Sequence, residues 1–307
     1  MLKMIRQKIV QNLWQDYHRT TPHIASIEAA LKNKKIDQLF LDHFAIIDLP
    51  GTHSGIPALK KIFSAIGFQE GGRGYLHDKQ NDFLWMAESD SHTQPPTHVL
   101  PQVVVADFRL DEMPNDVKNI IINYAEQSTP VPLDKIEVLT EKAMQHDELA
   151  AEKLIDLVLN YLRGRDWPLP TIAEFKTVQH FNELLAWVLV FGRRPNHFTL
   201  SVHLLPHFSN LDMFHSFITD DVGLALNQEG GTIKGNEKTG IAQGSTAGIS
   251  TQVALHDGNI ELPTGFVEFV WRFPKTSRPI KQWDDYFTGF VASHADHVIE
   301  SLYCHES

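Results

Sequence analysis

The chain has 307 residues, 42% hydrophobic and 21% charged, a balance that excludes an intrinsically disordered protein and leaves room for one large core or two modest ones. Its formal charge of −11 comes without any long Lys/Arg block, which argues against nucleic acid and against a membrane surface as partners. Cys304 is the sole cysteine, so no internal disulfide framework exists; with no apolar run near the ~20 residues of a membrane span and no signal-peptide pattern at the N-terminus, the expected setting is the cytoplasm.

Ile5, Ile9, Leu13 and Tyr17 recur at helical spacing, and Pro22 introduces a second helix over 24–31. An apolar strand is predicted over 39–47, bounded by Pro50 and Gly51, followed by a helix over 56–66 closed by Gly67. Short strand-like pieces surround Leu84-Trp85-Met86, a loop contains Pro95-Pro96, and a buried strand covers 102–108. From 114 to 192 the pattern is largely helical, interrupted by Pro130-Val131-Pro132 and Trp167-Pro168-Leu169-Pro170. Strands resume over 197–205 and 249–255, a His256-Asp257-Gly258-Asn259 turn suits a hairpin, and a last strand covers 265–273. These elements predict an α+β fold and a single domain over 1–307, with strand modules at about 39–108 and 195–273 and a helical insertion at about 111–192. No internal repeat is strong enough to identify from the sequence alone, although the strand groups around 39–108 and after 195 are compatible with two divergent copies of one module.

Alternate side chains of a strand face opposite ways, so each candidate strand divides into two faces. In the 197–204 segment Phe198, Leu200, Val202 and Leu204 form an apolar face, and His197, Thr199, Ser201 and His203 a polar one. Glu268 and Arg272 share a face of an otherwise strongly apolar strand, and His43 lies in a segment of Phe, Leu, Ile and Ala. A carboxylate so placed must be paired, hydrogen-bonded or metal-bound, because a lone buried charge costs several kcal/mol. Two imidazoles and one carboxylate on separate strands make a 2-His-1-carboxylate set, which leaves open positions on a divalent metal and suits Fe(II). The plainer alternative is that each histidine is an ordinary core or surface residue and Glu268 the partner of an arginine.

Other histidines fit metal binding less well. Pro206 breaks the helix that His203 and His207 would need, and His294 and His297 suit a solvated face of a C-terminal helix. Cys304 has no neighbour that would lower its pKa. The glycine-rich 230–240 stretch lacks the order of a phosphate loop and reads as a mobile loop leading into Gln243-Gly244-Ser245-Thr246.

Four segments occur in a telling order: Asp42-His43-Phe44-Ala45 followed by Gly51 to Gly55, Arg194-Pro195-Asn196-His197-Phe198-Thr199, Gln243-Gly244-Ser245-Thr246, and Val267-Glu268-Phe269-Val270. In this order, and with Leu100-Pro101-Gln102-Val103 and Ala186-Trp187-Val188, the chain resembles the 2-oxoadipate dioxygenase/decarboxylase family over most of its length. The resemblance implies a vicinal-oxygen-chelate-like fold, in which βαβββ modules of mixed and antiparallel strands curl into a half-open barrel, with a large helical layer inserted here between the strand groups. It implies His43, His197 and Glu268 as metal ligands and catalytic centre. It also implies a reaction in which a 2-oxo acid chelates Fe(II), O2 is taken up, CO2 is released and a 2-hydroxy acid forms, with no organic cofactor. Gln243, Ser245, Thr246 and His203 would lie near the substrate. Larger relatives place an arginine four residues after the first histidine to hold a distal carboxylate; here that residue is Ile47, so Arg73, Lys79, Arg194 and Arg272 become the candidate cations. Two other readings keep the fold: a Zn(II)- or Ni(II)-dependent isomerase, lyase or hydrolase, and a non-catalytic metabolite-binding protein.

Overall fold

The computed structural model of the chain describes residues 1–292; the expected helix with His294 and His297, and Cys304, lie outside the described residues. Two helices, α1 (Leu2–Thr20) and α2 (Pro22–Asn33), precede strand β1 (Leu41–Ile47), helix α3 (Ile56–Ala65) and strands β2 (Phe68–Leu76), β3 (Asn81–Glu88) and β4 (Gln102–Phe108). Five helices follow: α4 (Asn115–Ala125), α5 (Leu133–Met144), α6 (Glu148–Leu162), α7 (Ile172–Phe181) and α8 (Glu183–Phe191). The chain then forms β5 (His197–Ser201), α9 (Leu211–Ser216), β6 (Lys234–Asn236), β7 (Ile241–Ser245), β8 (Ser250–Leu255), β9 (Gly258–Pro263) and β10 (Phe266–Arg272). Among the described residues no helix is long and apolar enough to cross a membrane.

Eight strands form one curled mixed sheet in the order β2-β3-β4-β1-β5-β10-β7-β6. Each half repeats one connection: a first strand, a helix, two antiparallel strands, then a strand returning parallel to the first. The two first strands, β1 and β5, meet antiparallel at the centre, where Phe44 pairs with Phe198 and their rings stack at 4.9 Å. Taking that pair as a local two-fold axis makes His43 and His197 equivalent. It also puts Val104 of the first half where Glu268 stands in the second.

The outer face of the sheet carries Phe44, Ile46, Val105, Phe198, Leu200 and Phe269, packed against apolar residues of α1, α2, α3, α5, α6 and α9. A second cluster joins Ile47, Phe83, Ala106 and Phe266 to α4, α7, α8 and the β8–β9 hairpin. The helical insertion is therefore split between the two faces, and half of it walls the inner side. Local chemistry starts two of these helices: Asp147 caps α6 through the Ala150 N–H, and Thr171 with Glu174 forms a capping box on α7.

Three local expectations need correction. The strand-like pieces near Leu84 are a full β2–β3 hairpin, hidden in the sequence by Gly71, Gly72 and Gly74. Those glycines are required, because a Cβ on Gly72 or Gly74 would sit 2.3 Å from the Trp85 or Phe83 ring that lies across it. The strand expected over 197–205 ends at Ser201 and gives way to a 3-10 turn, Val202–Leu204, just ahead of Pro206, which has no N–H to offer a ladder. The glycine-rich stretch is not simply a loop, since Lys234–Asn236 pairs with β7 as the outer strand. The β8–β9 hairpin turns at His256 and Asp257 as expected but forms its own two-stranded sheet.

Candidate metal centre

His43, Ala45 and Ile47 face inward from β1, and the strand carries a bulge between Leu41 and His43. The bulge breaks the strict alternation, so Asp42 can turn its carboxylate toward the imidazole next to it. His43 Nδ1–H donates to Asp42 Oδ1 at 2.7 Å, which aims Nε2 inward as the nitrogen a metal would take from the neutral ring. Nε2 lies 3.1 Å from Thr199 Oγ1 on β5 and 3.5 Å from Glu268 Oε2 on β10.

His197 Nε2 lies 3.0 Å from Glu268 Oε2, and its buried Nδ1 has no hydrogen-bond partner. The other oxygen of Glu268, Oε1, accepts from Gln243 Nε2 at 2.7 Å. Candidate ligand atoms of His43, His197 and Glu268 lie within 4.8 Å of one another, and all three residues are buried. Neighbouring ligands on one first-row ion at about 2.1 Å stand about 3 Å apart. The cluster therefore fits a divalent cation, which would take the His197 nitrogen and the Glu268 oxygen that already converge at 3.0 Å.

Electrostatics favour the same reading. Burial alone would raise the Glu268 carboxyl, but the two imidazoles outweigh it and hold Glu268 well below the usual carboxylate range. Burial lowers His197. Asp42 is also held low: burial opposes its charge, and Arg272 overcomes that penalty. Two anions and a neutral imidazole prepared in this way suit metal ligation better than proton donation.

The triad opens onto a cavity. Asn196 and Gln243 line its polar end beside the ligands, and Phe290 stands against the His43 ring with centroids 4.7 Å apart. Ala45, Ile47, Val104, Ala106, Phe83 and Leu76 continue the wall away from the triad. Both side-chain atoms of Asn196 are buried without a hydrogen-bond partner, as is Gln243 Oε1.

Of the remaining expected site residues, Gln243 is at the centre and the others are not. Ser245 pairs with Glu268 across β7 and β10 but does not line the cavity. The Thr246 hydroxyl accepts from the Val267 N–H at 3.1 Å and contacts His23. His203 sits on the 3-10 turn among Trp271, Trp283 and Tyr286, away from the strand face assumed for it. Arg73 is exposed and paired with Glu70, and Lys79 lies in the turn after β2, outside the cavity wall. Arg194 donates to the Thr264 carbonyl at 2.8 Å and lies over Phe191. Arg272 faces inward but is committed to Asp42 and to the carbonyls of Phe287 and Gly289. Asp42, Asn196 and Phe290 were missed. The first two stand next to the ligands in the chain, and adjacency was the signal available; nothing local marks Phe290.

A family model described as 2-oxoadipate dioxygenase/decarboxylase matches residues 7–286. The 2-oxoadipate dioxygenase/decarboxylase of Oryza sativa subsp. japonica, designated chloroplastic/amyloplastic, is 25% identical over 303 residues, which cover 95% of this chain and 77% of that protein. The crystal structure of hydroxyglutarate synthase from Oryza sativa in complex with 2-oxoadipate is similar with a TM-score of 0.78 at 24% identity, covering 98% of this chain and 93% of the other. A Ralstonia eutropha JMP134 protein ascribed to the glyoxalase superfamily has a TM-score of 0.75 at 16% identity, with 93% and 85% covered. The half-open barrel is thus a fold shared with both.

Proposed function

The chain belongs to the 2-oxoadipate dioxygenase/decarboxylase family, and from that premise we propose that it is an Fe(II)-dependent dioxygenase converting a small 2-oxo acid and O2 into a 2-hydroxy acid and CO2. The observation that carries this reading is the buried His43–His197–Glu268 cluster, whose candidate ligand atoms converge within 4.8 Å beside a cavity. Two imidazoles and one carboxylate suit non-haem iron with positions left for a chelating substrate. The rice relative bound to 2-oxoadipate supports a 2-oxo acid as the ligand class. On this reading residues 1–307 act as one metalloenzyme domain, and the lone cysteine is consistent with a reducing compartment such as the cytoplasm.

When bound, the ion supplies adjoining sites for the 2-oxo acid and O2 and the redox capacity to activate O2. Asp42 holds the His43 ring in one tautomer, and Gln243 fixes Glu268 so that Oε2 faces the two imidazoles. Asn196, beside His197, has an amide free to orient the polar head of the substrate. The apolar wall excludes water from the reacting end. The reaction balances without an external reductant: the substrate carboxylate leaves as CO2, the ketone carbon becomes the new carboxylate, and the adjacent methylene gains a hydroxyl. One oxygen atom of O2 ends in each product group.

The experiment is reconstitution with Fe(II) in the absence of air, followed by 2-oxo acids and oxygenated buffer. O2 uptake matched by CO2 release is expected, and both vanish in His43→Ala and Glu268→Ala. Equal uptake in the three proteins refutes the assignment, and turnover without O2 moves the protein to the isomerase, lyase or hydrolase class.

A further inference from the structure

We infer that the cavity selects 2-oxo monocarboxylic acids with an uncharged, apolar side chain over 2-oxo dicarboxylic acids. The inference rests on the reading of the triad as a 2-oxo acid site and narrows its substrate class. It comes from the wall on which the substrate's far end must lie.

Strand β1 provides a ruler: Ala45 and Ile47 follow His43 on the inner face, at about 6.6 and 13 Å along the strand. The parallel register sets Val104 beside Ala45 and Ala106 beside Ile47, and the next strand sets Phe83 beside Ala106. A chain extending from the metal end therefore runs over Ala45 and Val104 and meets Ile47, Ala106 and Phe83. Asn81, the polar residue in that part of the wall, donates its amide N–H to the Asp107 carbonyl at 2.7 Å.

No lysine or arginine lines the cavity among the described residues. The inward-facing Arg272 spends its guanidinium on Asp42 and two backbone carbonyls. Arg194 lines a different cleft, between α1 and the end of α6. Lys234 pairs in register with Gln243 yet is not part of the cavity wall. The sequence beyond residue 292 contains neither lysine nor arginine. A distal carboxylate would thus be desolvated against methyl groups and a phenyl ring with no lysine or arginine of the described residues to meet it, whereas an alkyl chain gains from the same burial.

The test is equilibrium binding to the Fe(II)-loaded protein under anaerobic conditions. The ligands are pyruvate, 2-oxoglutarate and 2-oxoadipate, and the two 2-oxo acids in which the distal carboxylate of each diacid is replaced by an isopropyl group. Each isopropyl compound should bind more tightly than its diacid by about a hundredfold, and no diacid should surpass pyruvate. Ile47→Ala, a cavity-wall truncation that leaves the ligands in place, should weaken the isopropyl compounds by about tenfold and leave pyruvate unchanged. Tighter binding of a diacid than of its isopropyl partner overturns the inference while leaving the 2-oxo acid reading intact; loss of that preference in Lys234→Ala would then name the cation. Equal weakening of pyruvate and the isopropyl compounds by Ile47→Ala overturns the placement of the chain along β1. Failure of every compound, pyruvate included, to bind overturns the 2-oxo acid reading itself.

Discussion

Arg272 grips Asp42 with two parallel hydrogen bonds, Nε to Oδ2 at 2.7 Å and Nη2 to Oδ1 at 2.8 Å, and both side chains are completely buried. Asp42 Oδ1 also accepts from His43 Nδ1. Arg272 shares the inner face of β10 with Glu268, four residues earlier, so one strand supplies a ligand directly and orients another through Asp42. The pair costs desolvation that good geometry only offsets, and its evident return is a fixed imidazole.

Asp42→Asn should damage the protein in two separable ways. It leaves the Arg272 guanidinium buried beside a neutral group, which should destabilise the fold by about 3 to 5 kcal/mol. It also loosens the His43 ring, lowering metal affinity by about 10- to 100-fold. Chemical denaturation reads the first and a metal titration on the folded protein the second. Unchanged metal affinity in the folded variant would reduce Asp42 to a structural partner of Arg272.

Gln243→Leu isolates the other support. It removes the donor to Glu268 Oε1 but keeps the volume of the side chain on a strand whose ladder is intact. Metal affinity should fall by roughly tenfold, and the metal-free protein, left with a buried carboxylate oxygen short of its donor, should lose about 1 to 3 kcal/mol of stability. A large loss of stability with metal binding preserved would contradict this division of labour.

These supports show why part of the site was legible before the structure and part was not. Glu268 and His43 stood out as polar groups in strongly apolar segments, where a buried charge or imidazole needs a partner, and strand alternation separated His197 from the apolar face of its strand. The same rule misplaced His203, since Pro206 ends the strand and the alternation with it. The rule is also silent on Asp42, whose direction depends on a bulge that only the register with β5 reveals. Arg272 had the right face but was assigned the wrong partner: a substrate carboxylate and Asp42 are equally good matches for a guanidinium until distances are known. In the fold, the β2–β3 hairpin was obscured by glycines whose reason, the Phe83 and Trp85 rings, lies across the ladder rather than along the chain.

Metal uptake should release protons. In the metal-free protein burial opposes a charged His43, but Glu268 and Asp42 outweigh it and raise His43 to about 8. A histidine raised in this way stabilises the fold fully below its unfolded value of 6.5, and that contribution is lost as pH rises through about 8. Because the metal needs the neutral ring, uptake at pH 7 should expel about one proton, and apparent affinity should climb with pH until about 8. Titration calorimetry in buffers of different ionisation enthalpy measures this. A proton count near zero at pH 7 would mean that His43 is neutral before the metal arrives.

Asp107 gives a pH effect away from the metal. Its Oδ2 accepts from the Ile56 N–H at 2.8 Å at the start of α3, where Gly55 leaves it room, since a Cβ on Gly55 would come within 2.5 Å of that oxygen. Burial, not fully offset by this bond and reinforced by Asp82 and Asp48, raises Asp107 to about 6 from its ordinary value of 3.8. The folded state therefore keeps a proton that the unfolded state has already lost, so this residue's contribution to stability should fall as pH rises from about 4 to 6 and be level above that. Asp107→Asn keeps an oxygen that can accept the Ile56 N–H and removes the titration. The difference in unfolding free energy between variant and parent should grow in favour of the variant across that window, with a slope that at its steepest approaches about 1.4 kcal/mol per pH unit, the value for one proton. Denaturant titrations at several pH values read the difference directly, and the opposing slopes from Asp42 and Glu268, common to both proteins, cancel. A flat difference across the window would show that the Asp107 carboxylate is solvated in the folded protein and does not feel the desolvation assigned to it.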